Sequence, residues 1–253
     1  MPHPDPIFEC RLAKTDDEAK AAQALRYDVF VRELGADGPL VDHAAGLERD
    51  AFDQHAKQLV LFDRSRPEGA QVVGVYRLLE SDAAQGRFYS AAEYDLGLLQ
   101  SSGRRLLELG RSCLHRDYRG GAAMMHLWQG LAQVVAETRA EILFGVASFH
   151  GTDTAALAQP LSLLRAKHLA PPDLRVRSKA YAPMDLVPLD QIDRVAAMRR
   201  TPALIKAYLR LGGMVGDGAF VDHGFNTTDV CLIMDTARLN PRSKTFYAAG
   251  VAG

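Results

Sequence analysis

The stretch LLELGRSCLHRDYRGG, residues 106–121, decides how the rest of the chain is read. It begins as a short apolar run carrying two charges, Glu108 and Arg111, and passes into a basic, glycine-containing turn that opens a helix over about 122–139. An ionised group inside a strand must be paired, hydrogen-bonded or neutralised, because an isolated ion out of water costs several kcal/mol. Glu108 is therefore a candidate acid or base, with membership of a structural ion pair as the even alternative for it and for Arg111. Alternation puts Glu108, Gly110 and Ser112 on one face and Leu107, Leu109 and Arg111 on the other unless a bulge intervenes. The face that holds Gly110 is thin enough to admit a ligand.

Strands and helices alternate on both sides of this element. Upstream, 7–12 reads as a strand, and Thr15 with Glu18 as the capping box of a helix that runs to about Leu34, where Gly35 ends the pattern. Arg26, Phe30 and Glu33 lie near one stripe of that helix. The loop 36–54 holds Asp42, His43, Glu48, Asp50 and Asp53, with His55 just beyond, and suits either a cationic ligand or a solvated connection. Two apolar runs, 58–63 and 71–79, flank the turn RSRPEG as a hairpin, with Arg77 near the end of its second strand. A polar insertion, 81–103, leads into the central strand. Downstream, 141–147 reads as a buried strand, 152–167 as a helix containing Pro160, 175–181 as a strand, 202–211 as a helix and 228–234 as a last strand. No repeat, linker or low-complexity tract divides the 253 residues, which predicts one α/β domain spanning 1–253.

Composition narrows the class. The chain is 47% hydrophobic with a net charge of -1, and no run reaches the ~20 apolar residues of a spanning helix. The first ten residues lack the basic and apolar regions of a signal peptide, so the expectation is a cytoplasmic protein. Three scattered cysteines, Cys10, Cys113 and Cys231, suit a reducing compartment and offer no metal-ligand spacing. Residues 1–100 hold 11 Lys and Arg against 18 Asp and Glu, and the remainder 19 against 13, a basic excess suited to an acidic protein, phosphates or an anionic membrane face. The basic residues are dispersed and no nucleic-acid recognition motif accompanies them, which argues against nucleic acid.

The element order resembles the GNAT acyltransferase fold, a mixed twisted sheet flanked by helices, whose turn Q/R-x-x-G-x-G/A holds the pyrophosphate of coenzyme A at a helix N-terminus. Aligned at 116–121, this chain keeps Arg116 and Gly121 but has Arg119 where the middle glycine belongs, a departure that points away from tight pyrophosphate binding. Acyl-homoserine-lactone synthases, GNAT-like enzymes that accept acyl groups from acyl carrier protein, are similar at Arg26 and Phe30, at Asp50 and Asp53, at Arg77 within GVYRLL, and at Glu108 with Arg111. The blocks ALRYDVFVRELG, AFDQHAKQLVLFD, VVGVYRLL, FYSAAEYDL, ELGRSCLHRDYR, HLWQG, PALIKAYLRLGGMVGDGA and FNTTDV resemble the ornithine N-acyltransferases of bacterial ornithine-lipid synthesis, over about residues 11–234. The chain after about 182, to 253, then reads as an extension specific to that family.

The resemblance implies transfer of a 3-hydroxyacyl group from acyl carrier protein to the α-amino group of ornithine, giving a lyso-ornithine lipid. Phosphopantetheine would arrive on the carrier, so no resident cofactor is expected. Glu108 would be the general base. Arg26, Arg77 and Arg111 would bind the amino-acid carboxylate or orient Glu108, and Asp50 and Asp53 would hold the cationic side chain. Phe30 falls in the same substrate-binding set. Ser112, Cys113, Leu114, Arg116, Arg119, Gly120 and Gly121 would line the acyl-phosphopantetheine path, with a core role rather than acyl transfer expected for the Cys113 thiol. The segment PALIKAYLRLGG either rests peripherally on the membrane or packs on the domain. Glutamine as acceptor, acyl-homoserine-lactone synthesis and a non-catalytic binding module remain the alternatives.

Overall fold

The computed structural model describes residues 5–239. In chain order its strands are β1 (Phe8–Leu12), β2 (Lys57–Asp63), β3 (Val72–Glu80), β4 (Tyr94–Asp95), β5 (Leu106–Leu114), β6 (Ile142–His150), β7 (Arg177–Ser178), β8 (Met214–Val215), β9 (Phe220–Asp222) and β10 (Thr227–Asp235). Its α-helices are α1 (Asp16–Arg26), α2 (Ser81–Ala84), α3 (Gly97–Gln100), α4 (Ala123–Thr138), α5 (Ala158–His168), α6 (Arg194–Arg200) and α7 (Ala203–Arg210). Eight strands form a mixed sheet in the order β1-β2-β3-β5-β6-β10-β8, with β9 also on β10. The described residues divide into two compact units, 5–79 with 109–139, and 80–108 with 140–239, so that β5 belongs in part to each. The end of the expected extension, 240–253, lies outside the described residues.

In the first unit β1, β2 and β3 form an antiparallel meander, the RSRPEG turn joining β2 to β3 as the alternating apolar runs require. α1 starts at Thr15, whose Oγ1 accepts the Glu18 N–H at 3.2 Å. The reciprocal half of the capping box is displaced: the Glu18 carboxylate accepts the Lys14 N–H at 2.7 Å and pairs with Arg11. The predicted single helix to Leu34 changes pitch at Tyr27 and continues to Glu33 as a π-helix, a rare geometry associated with functional sites. Its apolar side chains join Ala22, Leu25, Val60, Phe62, Val75 and Cys113 in one core cluster. α4 packs against β1 and β2 through Gly130, where a Cβ would come within 2.4 Å of Cys10 Sγ.

In the second unit the start of β5 pairs in parallel with β6, Glu108 opposite Phe144, and β6 pairs along its whole length with antiparallel β10. Three expectations need correction here. The strand anticipated at 175–181 is only Arg177–Ser178, paired with Tyr94–Asp95 outside the main sheet. The helix anticipated from 152 starts at Ala158, which puts Pro160 in the first turn, where its missing N–H costs nothing. β4, α3 and the surrounding loop, read as a polar insertion, pack inward through Tyr94, whose hydroxyl donates to Gly218 O at 3.0 Å and Asp229 O at 2.9 Å. On α7, Ile205, Tyr208 and Leu209 are buried, which decides for packing on the domain over membrane contact by that face. Among the described residues no helix is long and apolar enough to cross a membrane.

Candidate active site

Three segments of the first unit deliver arginines and one loop delivers carboxylates to meet them. Arg26, fully buried at the last position of α1, donates Nε to Glu48 and both terminal nitrogens to Asp53, the second at 3.0 Å. Arg77 of β3 reaches Asp50 at 2.6 Å and lies 3.7 Å from Asp53. Arg111 of β5 donates Nε to the other oxygen of Glu48 and Nη2 to Asp50, each at 3.0 Å. Glu48 thus bridges Arg26 and Arg111 while only 3% exposed. Three guanidinium groups face three carboxylates, so the cluster is formally neutral, the condition under which buried charges persist.

The backbone makes this arrangement possible at two points. The Glu48 N–H donates to Gln23 O at 3.1 Å, fastening the loop to α1. Arg111 has φ +50°, a left-handed conformation that a non-glycine residue adopts at a cost of about 1 kcal/mol. This is the interruption that alternation left open. It re-aims Arg111 within β5, and Gly110 before it leaves the Arg77 guanidinium 3.9 Å from where a Cβ would stand.

Burial opposes ionisation of Asp53, but the hydrogen bonds and charge of Arg26, with Arg77 and the Asp50 N–H, outweigh it and hold the carboxyl below its ordinary range. Burial and the repulsion of Arg111 and Arg26 lower the Arg77 pKa, with Asp50 acting the other way. Asp53 is thus engaged by Arg26, whereas Asp50, with its side chain 21% exposed, is the most accessible carboxylate of the three. Glu48 escaped selection as a site residue from the sequence because its partners lie 22 and 63 positions away.

In the second unit Glu108 is 4% exposed, and its two oxygens accept the N–H of Ser90 at 2.6 Å and of Tyr89 at 2.9 Å. Tyr89 and Ser90 belong to a short 3-10 turn in the stretch read as a polar insertion, and backbone donors leave no residue-type signal by which a sequence would reveal them. Three further carboxylates of this unit, Glu93, Asp222 and Asp229, place oxygens within 4.8 Å of one another.

The turn after β5 carries the remaining expected residues. Leu114 is buried and Ser112 half-buried on the strand. Gly120 has φ +78°, and neither it nor Gly121 presents a side chain to an approaching ligand. The first turn of α4 has no side-chain cap and no carboxylate, which leaves its N–H groups to solvent or an anion. Arg116 is 75% exposed beside Asp117. Arg119, in the place of a glycine, is drawn back onto the protein: Nε donates to Leu114 O at 3.1 Å and Nη2 meets Glu33 at 2.9 Å. Phe30 is half-buried against the α1 core. Burial pushes the Cys113 thiol up to about 12, so it is not a nucleophile at neutral pH. Cys113→Ala is expected to keep turnover within about threefold of the parent, the small effect of a packing change; an abolished turnover in a folded variant would restore a covalent role.

Residues 25–129 match the Acetyltransferase (GNAT) domain family, and with the mixed sheet and the turn ahead of α4 this sets the class: an acyltransferase of GNAT fold. The chain is 57% identical over 250 residues to the L-ornithine N(alpha)-acyltransferase of Rhodobacter capsulatus, covering 97% of this chain and 96% of that protein. It is 40% identical to the protein of that name from Brucella abortus, over 96% of this chain and 89% of the relative. The chain belongs to the L-ornithine N(alpha)-acyltransferase family. Solved structures share the fold at low identity: FeeM, an N-acyl amino acid synthase from uncultured soil microbes, has TM-score 0.56 at 13% identity, covering 95% of this chain and 98% of that one. The acyl-homoserine-lactone synthase LasI has TM-score 0.52 at 15% identity, covering 97% of each chain.

Proposed function

We propose that this chain transfers a 3-hydroxyacyl group from acyl carrier protein to the α-amino group of L-ornithine, releasing lyso-ornithine lipid. Near full-length identity to proteins named for ornithine Nα-acylation is the observation that carries the acceptor and the bond formed. The α-ammonium gives a proton to Glu108, directly or through water; the amine nitrogen attacks the thioester carbon, the N–C bond forms and the C–S bond breaks, and the carrier leaves as its thiol. Glu108 is offered for this role because it is a buried carboxyl of the central strand whose two oxygens are oriented by the backbone N–H groups of Tyr89 and Ser90. The developing oxyanion would be met by backbone N–H groups near Cys113. Phosphopantetheine comes on the carrier and no resident cofactor is invoked.

The donor assignment is supported by Arg119. A guanidinium tied to Leu114 and Glu33 stands in a turn that would need to be open for a pyrophosphate, and exposed Arg116 suffices for one phosphate. The basic residues Arg165, Lys167, Arg175, Arg177 and Lys179 complement an acidic carrier, and the working site is the cytoplasm with peripheral contact at the inner face of the membrane.

Asp50, the most exposed carboxylate of the three, is assigned to the δ-ammonium, with Asp53 holding Arg26. Asp50→Asn should raise KM for ornithine about tenfold, the worth of one charge-assisted hydrogen bond, and leave KM for glutamine nearly unchanged. Equal losses for both acceptors would remove Asp50 from side-chain recognition. The reading as a whole is tested by thiol release from 3-hydroxyacyl carrier protein with ornithine, glutamine, lysine or S-adenosylmethionine offered separately, and mass spectrometry of the product. N-acyl-ornithine is the expected product; release with glutamine alone would keep the chemistry and overturn the acceptor.

A further inference from the structure

Of the eight large apolar side chains that stand exposed among the described residues, three fall within ten positions of the second unit: Leu186, Leu189 and Val195, the last two 52% and 70% exposed. The chain there is a strap stapled to one face of α5. Ser162 Oγ accepts the N–H groups of Leu186 and Val187, each at 2.9 Å, and Gln159 Oε1, three positions earlier on the same helix face, accepts the Asp193 N–H at 2.9 Å. These polar anchors pull the backbone inward, and the three apolar side chains remain in water. Val195 and Arg199 stand four apart on the outer side of α6, opposite buried Ala197.

The charges of the strap are divided along it, with Asp190 and Asp193 ahead of Arg194, Arg199 and Arg200. Residues 194–210 contain Arg194, Arg199, Arg200, Lys206 and Arg210 and no Asp or Glu. Of the carboxylates just before, all three exposed, Asp185 lies 3.3 Å from Arg165, Asp193 caps α6 by accepting the N–H groups of Val195 and Ala196, and Asp190 stands between them.

We propose that the strap, residues 186–200, is the surface by which this protein lies on an anionic lipid bilayer. Leu186, Leu189 and Val195 enter the headgroup boundary and Arg194, Arg199 and Arg200 meet lipid phosphates. Exposed apolar side chains followed by arginines suit a bilayer, which takes up both, better than the polar surface of an acidic protein. The proposal also rests on the acyl transfer proposed above, since a one-chain amphiphilic product partitions into a membrane and is released most readily beside one. The peripheral contact expected of α7 thus moves to the segment before it, because α7 turns its apolar side inward.

Co-sedimentation of the full chain with phosphatidylglycerol-containing vesicles and with purely phosphatidylcholine vesicles tests this, alongside Leu189→Asp/Val195→Asp and Arg199→Glu/Arg200→Glu variants. The parent should bind the anionic vesicles selectively, and each double variant should bind at least about tenfold more weakly. Their thermal melting and their turnover of carrier-bound donor in vesicle-free solution should match the parent. A parent that ignores both vesicles, or binds them equally, overturns the proposal, as does an arginine variant that keeps vesicle binding but raises KM for the carrier. Selective vesicle binding by a chain that never acylates ornithine would sink the catalytic reading and leave the membrane surface standing.

Discussion

Glu108→Gln should lower kcat by about 10²–10⁴-fold with little change in KM for the acyl carrier, the usual worth of a positioned general base. The amide keeps the size of the side chain and one oxygen acceptor, so the 89–90 turn retains a single hydrogen bond to it and the fold loses about 1–3 kcal/mol where a backbone N–H meets an NH2. Folding can be checked by thermal melting. Catalysis can be separated from packing by the pH profile of kcat/KM, because removal of the base should abolish its acidic limb, whereas a misplaced loop would scale the whole profile down and preserve its shape. A folded variant with a parental limb would move the base elsewhere.

Arg26→Ala should destabilise the protein by about 3–5 kcal/mol, the cost of stranding buried charges. Its guanidinium is fully buried and serves Glu48 and Asp53 together, so its removal leaves Glu48 with Arg111 and Asp53 with the more distant Arg77 and its neutral donors, Gln58 and the Asp50 N–H. For a chain of this size that corresponds to a fall in Tm of roughly 6–20 °C. A fall of only a degree or two would show that the site admits water freely and that the network is solvated. The same contacts give a sign in pH. Because the folded pKa of Asp53 is depressed, its contribution is complete above the unfolded value of about 3.9 and disappears as pH falls through the lower folded value. The parent should therefore lose part of its stability below about pH 4, and the Arg26→Ala variant should show less of that acid slope.

Much of this architecture can be read from local pattern. β5 and α4 announce themselves through an apolar run followed by glycines and a helical period, and the hairpin through RSRPEG between two apolar runs. The candidate residues Arg26, Arg77, Arg111, Asp50 and Asp53 come together in one cluster of ion pairs. What the residues alone do not give is who meets whom. Asp50 and Asp53 look alike in a loop, and only the fold commits Asp53 to Arg26 and leaves Asp50 with 21% of its side chain in water. Glu48 is central yet carries no periodic or motif signal. The short β4 and β7 pair is too brief for a period-two pattern to register, and the change of pitch at Tyr27 preserves the apolar stripe that made the segment look like one regular helix.

The charge cluster has a consequence for how the chain must be made. Its members come from residues 26, 48, 50, 53, 77 and 111, and the last of them is an arginine. A nascent chain that has emerged only as far as the hairpin holds two guanidinium groups against three carboxylates, and closing its core at that point would bury an excess anion. Collapse around α1 is disfavoured until Arg111 leaves the ribosome, which makes the N-terminal third dependent on a residue synthesised long after it. A fragment ending at residue 79 should remain unfolded despite owning three strands and a helix, and any stall in translation between 80 and 111 would leave that segment exposed to chaperones and proteases.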